Sequence, residues 1–164
     1  MDDATMLARR IAAGELTAVE ATENALRAIE AEQQRLHSFL TLDADGLPQL
    51  GRSARQLGVR TLDCLPHNDV KAATLDDTVN PGEGMSAAPN DPAYLGKNRR
   101  PPQLNGGTGK DPVWEIDTDL LGAKLEYVQD KPTHGVVGPS EPMTLAEFEQ
   151  ALAGTRALWV RVIG

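Results

Sequence analysis

The sequence predicts an α+β fold: an N-terminal helical hairpin followed by a small mixed β-sheet domain with a C-terminal helix. Three observations carry this. The first forty residues place apolar side chains at helical spacing behind a capping box, residues 113–137 alternate in short strand-like runs, and a second capping box opens at Thr144. The division that follows is a helical extension over residues 1–58 and an α+β domain over 59–164.

The first helix spans about Asp3 to Ala13, with Met6, Leu7 and Ile11 on one side and Gly14 placed to stop it. The second opens at Thr17-Ala18-Val19-Glu20, where hydroxyl and carboxylate each satisfy an unpaired amide. Val19, Leu26, Ile29 and Leu36 keep its apolar period, and His37 falls at its end, on the surface. A short helix is expected from Gln49 to Leu57, ending at Gly58, and a strand at Thr61–Pro66 with Cys64 inside it. From Pro66 to Pro112 the chain holds most of its eleven prolines, which predicts short strands and turns wrapped on the core.

Order returns with strands at Val113–Ile116, Lys124–Val128 and His134–Val137, and one helical turn over Asp117–Leu121. Thr144 and Glu147 then cap a helix whose inward positions are Leu145, Phe148, Leu152 and Trp159. A continuous helix to Trp159 is preferred to a break at Gly154 followed by a terminal strand at Val160–Ile163.

Composition bounds the chemistry. The 164 residues are 40% apolar but only 4% aromatic, so Ala, Leu and Val must build the core. The net charge is −8, which disfavours a general nucleic-acid binder. The single cysteine, Cys64, excludes an internal disulfide and a cysteine-based zinc site. No apolar run approaches a membrane span and no basic start precedes an apolar leader, so the chain is read as a cytoplasmic protein.

The one basic island runs from Lys97 to Lys110, with Arg99 and Arg100 between and no acid. Arginine forks and a lysine suit an anion such as a dinucleotide phosphate; the competing account is a solvated run paired with acidic helices. Within it, Asn105-Gly106-Gly107-Thr108-Gly109-Lys110 fails as a triphosphate loop, because Leu104 stands where the leading glycine belongs and Asp111 follows the lysine. It reads as a turn into the Trp114 strand, with Gly107 and Lys110 as the anion-facing alternative. His134 is the best single titratable candidate, and Ser86 sits among small residues although Ala88 breaks the Gly-x-Ser-x-Gly pattern. The histidines show no metal-ligand spacing, so no metal is expected.

Two resemblances add to this. Leu7 through Glu20, Arg27–Glu30 and Leu36–Leu42 resemble the N-terminal helices of amidase-signature hydrolases, whose Gly-Gly-Ser-Ser-Gly-Gly-like catalytic loop is absent here. That resemblance implies no amidase activity; the alternative function it leaves open is a non-enzymatic interaction module whose hairpin docks on a partner such as an amidase-like subunit, favoured if Leu26, Ile29 and Leu36 are exposed and disfavoured if they are buried against the chain's own sheet. The second covers residues 60–162, on Val79–Ser86, Asp91-Pro92, Leu95–Pro101, Gly106–Trp114, His134–Val137 and Met143–Leu145 leading to Trp159. These blocks resemble small proteins similar to type VI secretion toxin effectors with an ADP-ribosyltransferase-like fold. The resemblance implies a cleft for NAD, with His134 and Ser86 as catalytic candidates and Arg99, Arg100, Gly107 and Lys110 on the dinucleotide. The chain departs from that pattern at two points: only Arg60 could serve as the nicotinamide-side arginine, and Glu147-x-Glu149 has the spacing of the late acidic pair but lies in a predicted helix that Glu147 already caps.

Overall fold

A computed structural model describes residues 9–15, 17–22 and 35–163, and the chain forms two compact units, residues 1–33 and 34–164. In the first unit, residues 9–12 and 18–22 are helical. The capping box is present: Thr17 Oγ1 accepts from the Glu20 amide at 3.1 Å, and Glu20 Oε2 accepts from the Thr17 amide at 2.8 Å. Leu26 and Ile29, on which a docking face was expected, lie outside the described residues.

The second unit is built on a six-stranded sheet of β1 (Arg35–Phe39), β3 (Met85–Pro89), β4 (Val113–Asp117), β5 (Leu125–Lys131), β6 (His134–Pro139) and β8 (Val160–Ile163). Its order is β5-β6-β3-β1-β4-β8, and every neighbouring pair is antiparallel. A separate ribbon pairs β2 (Thr78–Val79) with β7 (Met143–Thr144), which runs straight into helix α1 (Leu145–Gly154). The α+β class therefore stands, and no described helix is long and apolar enough to cross a membrane.

Strand alternation sorts the sheet into two faces. Leu36, Met85, Ala87, Ile116, Leu125 and Val137 point to one face, where they form a single core with Leu145, Phe148 and Leu152 of α1 and with Trp159. Ala88 and Val113 point to the other, covered by Leu95, Leu104 and Val162. The Thr144 capping box is formed as the sequence predicts, with Thr144 Oγ1 accepting from the Glu147 amide at 3.3 Å.

Four expectations are corrected. Leu36 is not on a helix: it lies in β1 between β3 and β4, opposite Pro89 and Ile116, and is fully buried. His37 is likewise a strand residue, 3% exposed, and not a surface helix end. No helix forms over residues 49–57; backbone bonds from Gln49 to Thr41, Thr41 to Arg55 and Leu57 to Gln49 fold this segment as a looped arm across the chain. Residues 61–66 are no strand but a 3-10 turn at Leu62–Cys64, which leaves Cys64 half-exposed.

The C-terminal helix also stops at Gly154. A 3-10 turn over Arg156–Leu158 follows, and the tail becomes edge strand β8. The stop has a local cause: Thr155 turns its hydroxyl back to the Leu152 carbonyl at 2.7 Å and accepts the Trp159 indole N–H at 3.0 Å. Trp159 reaches the core from this turn and not from a continued helix.

Candidate functional site

The sheet is weakest in its middle. β1 and β3 pair only at Leu36–Pro89 and His37–Ala88, so beyond these residues the strands part. Ser38 and Leu40 from β1, and Met85 and Ser86 from β3, line the opening, which the arm of residues 53–58 and the Arg60–Asp69 pair close from outside. Asp69 accepts from Arg60 Nε at 2.9 Å, from Nη2 at 2.6 Å and from the Arg60 amide at 2.8 Å, a forked pair that fixes the guanidinium.

Ser86 and Val136 are register partners, and strand alternation puts His134 on the same face of β6 as Val136. Ser86 and His134 thus share a second cleft of about 160 Å³, walled by Tyr94, Leu95 and Gly96 and entered by Arg99. A third, of about 520 Å³, lies between Arg55, Asn98, Thr108, Lys110 and Asp111, again with Arg99 in its wall. Arg99, carried by the 3-10 turn Lys97–Arg99, borders all three openings. Burial holds its pKa below the usual arginine value; the Arg60 charge adds to this and Asp69 opposes it.

The structure brings Ser86, Arg99 and His134 to one cleft and Lys110 to the adjoining one. Arg100 is only 6% exposed, with a buried Nε that has no hydrogen-bond partner. Gly107 packs against it. The amides of Gly107, Thr108 and Gly109 donate to the carbonyls of Leu104, Lys97 and Arg100, so the glycine turn directs its N–H groups inward. The turn packs tightly on the segment that carries Arg99: at Gly109 even a Cβ would stand 2.9 Å from Asn98 and Arg100 backbone atoms.

Three pairings at the site were missed from sequence. Asp130 accepts from His134 Nδ1 at 2.6 Å across the β5–β6 hairpin, and this bond holds the Asp130 pKa down. That fixes the ring so that Nε2 is the nitrogen left for other contacts. The signal was available: an acid four residues before a histidine, with Pro132 in the turn between two strand runs. The Arg60–Asp69 fork and the Arg55–Asp111 ion pair had no such signal, since strand pairing does not report which loops meet.

The acidic pair Glu147-x-Glu149 is committed elsewhere. Glu147 closes the cap of α1, and Glu149 takes a forked contact from Arg52 at 2.5 and 2.9 Å. Among the described residues no cluster of three or more His, Cys, Asp or Glu side chains could hold a metal ion.

A sequence model of the family described as Tse2 ADP-ribosyltransferase toxin matches residues 39–159. The match takes in β2 to β7, α1 and, except for Ser38, the residues named around the three openings, and stops one residue before β8. No curated protein and no solved structure gave a match.

Proposed function

The chain belongs to the Tse2 ADP-ribosyltransferase toxin family, and on that premise we propose that it transfers ADP-ribose from NAD to an acceptor in the cytoplasm of a target cell. NAD lies across Arg99, its pyrophosphate on that guanidinium and its two nucleoside halves in the clefts on either side. The observation that carries the reading is the position of Arg99 at the junction of the three openings. The residues suit a dinucleotide: two compartments of about 160 and 520 Å³ flank one half-buried cation.

The smaller compartment is the one with chemistry in its walls, so the nicotinamide half belongs there. Tyr94 and Leu95 offer an apolar wall to a planar ring, and Ser86 offers a hydroxyl to the ribose. Bound there, NAD supplies the ADP-ribosyl group: the acceptor's nucleophile bonds to the ribose anomeric carbon as the bond to nicotinamide breaks. His134 takes the nucleophile's proton at Nε2, with Asp130 holding Nδ1. Arg60, fixed by Asp69, closes the central opening and adds positive charge beside Arg99. Arg100 and Gly107 serve as the scaffold that presents Arg99.

Calorimetric titration with NAD tests this, with transfer of a labelled ADP-ribosyl group as the second readout. Wild-type protein is expected to bind NAD, and Arg99→Ala, confirmed as folded, to weaken binding by about tenfold or more. A folded wild-type protein that takes up no NAD overturns the reading.

A further inference from the structure

We propose that the large compartment selects a dinucleotide bearing a phosphate on its adenosine ribose, so that NADP is a better ADP-ribosyl donor for this chain than NAD. The inference rests on the placement of a dinucleotide across Arg99 and asks what the far end of that groove recognises. Its wall contains three cations, Arg55, Arg99 and Lys110, and one carboxylate, Asp111, which Arg55 engages. In a chain of net charge −8 this is a strong local inversion of sign.

The direction of the ligand follows from charge and chemistry together. Oxidised nicotinamide is cationic, and the Arg55 and Lys110 end repels it. The same end holds no base beyond the engaged Asp111, whereas His134 and Ser86 stand at the other. The adenosine half therefore takes the basic end. With Arg99 occupied by the pyrophosphate and Arg55 paired with Asp111, Lys110 remains for a further anion, and plain adenosine has none to offer. A ribose phosphate monoester carries about two negative charges at neutral pH and three acceptor oxygens, which fits the Lys110 ammonium in a wall that also carries the Arg55 guanidinium. The Thr108 hydroxyl lies in the same wall, 3.4 Å from the Lys97 carbonyl, and can turn to such an oxygen.

The test is parallel calorimetric titration of the full chain with NAD and NADP at one ionic strength, repeated with Lys110→Ala and Lys110→Arg. NADP is expected to bind about tenfold tighter than NAD, the preference to collapse to about one in Lys110→Ala, and Lys110→Arg to restore it. Equal affinity for the two, or a preference for NAD, overturns the proposal while leaving the NAD reading intact. If neither dinucleotide binds, the broader reading fails with it. An NADP preference that survives Lys110→Ala in a protein with unchanged melting temperature also overturns the assignment, as does inorganic phosphate binding at Lys110 alongside saturating NADP.

Discussion

Gly107 lies so close to Arg100 that a Cβ on the glycine would stand 2.1 Å from the Arg100 carbonyl oxygen and 2.5 Å from its carbon. The contact packs the glycine turn tightly onto the segment that carries Arg99, so the turn is expected to position that side chain. Gly107→Ala must push that backbone aside, at about 1–3 kcal/mol for overpacking. The expected result is a lower Tm together with weaker NAD binding, because Arg99 moves with Arg100. Gly106→Ala is the control: it meets nothing within 4 Å and bears only the strain of its φ of +64°. If Gly107→Ala binds NAD as the wild type does, the turn does not position Arg99.

Leu152 is 1% exposed and sits with Leu145 and Phe148 against the sheet. Leu152→Ala is expected to cost about 2–5 kcal/mol in denaturant unfolding. Val160, an exposed position on edge strand β8, sets the comparison: Val160→Ala should stay within about 0.5 kcal/mol.

These two residues also show how far the sequence could be read. Leu145, Phe148 and Leu152 announce themselves because helix period and capping box are local signals. The strands β4, β5 and β6 do so because alternation is local too. β1 is different. Leu36 keeps the apolar spacing of the helix that the sequence predicts before it, and only pairing with residues 113–117 makes 35–39 a strand. β3 is hidden for a related reason: Ser86, Ala87 and Ala88 have too little side chain to show alternation, although Ala87 and Ala88 are buried. At the site, residue type pointed to Ser86, Arg99 and His134, while Arg60–Asp69 and Arg55–Asp111 depend on loop crossings that no local pattern encodes.

His37 makes stability depend on pH. It is buried beside Glu115 of β4, with Nε2 3.2 Å from Oε2, while Asp91 beyond β3 and Arg35 on its own strand add charge nearby. Burial lowers its pKa below the ordinary 6.5, outweighing Glu115. The unfolded chain therefore takes up this proton first as pH falls. The contribution of His37 is complete above about pH 6.5 and is lost progressively below it, until the folded protein also binds the proton. Tm measured between about pH 7.5 and 5.5 should fall toward acid, and His37→Gln should flatten that slope. An unchanged slope in the variant would show that another group sets it.

Glu149 tests the acidic-pair expectation directly. Its carboxylate is held by Arg52 on the outside of α1, a pair partly open to solvent. Glu149→Gln should lower stability by about 0.5–1 kcal/mol and leave NAD binding and ADP-ribosyl transfer at wild-type levels. A loss of transfer without a loss of binding would place Glu149 in the active site.

The last prediction concerns His134 and Asp130. If His134 accepts the proton of the acceptor nucleophile, His134→Gln removes the base but keeps a polar side chain of similar reach, so the loss should fall on kcat, by about 10²- to 10⁴-fold, with a much smaller change in KM. Asp130 acts at one remove: it accepts from Nδ1 and so fixes which nitrogen carries the proton. In Asp130→Asn an amide stands where the carboxylate was, and it can present either its oxygen or its NH2 group to Nδ1. The ring then loses its fixed tautomer. Nitrogen chemical shifts of His134 should report mainly the Nδ1–H form in the wild type and a mixture in the variant, alongside a kcat loss smaller than that of His134→Gln. A structural role alone would lower Tm without moving the tautomer, and a wild-type tautomer in Asp130→Asn would remove Asp130 from the mechanism.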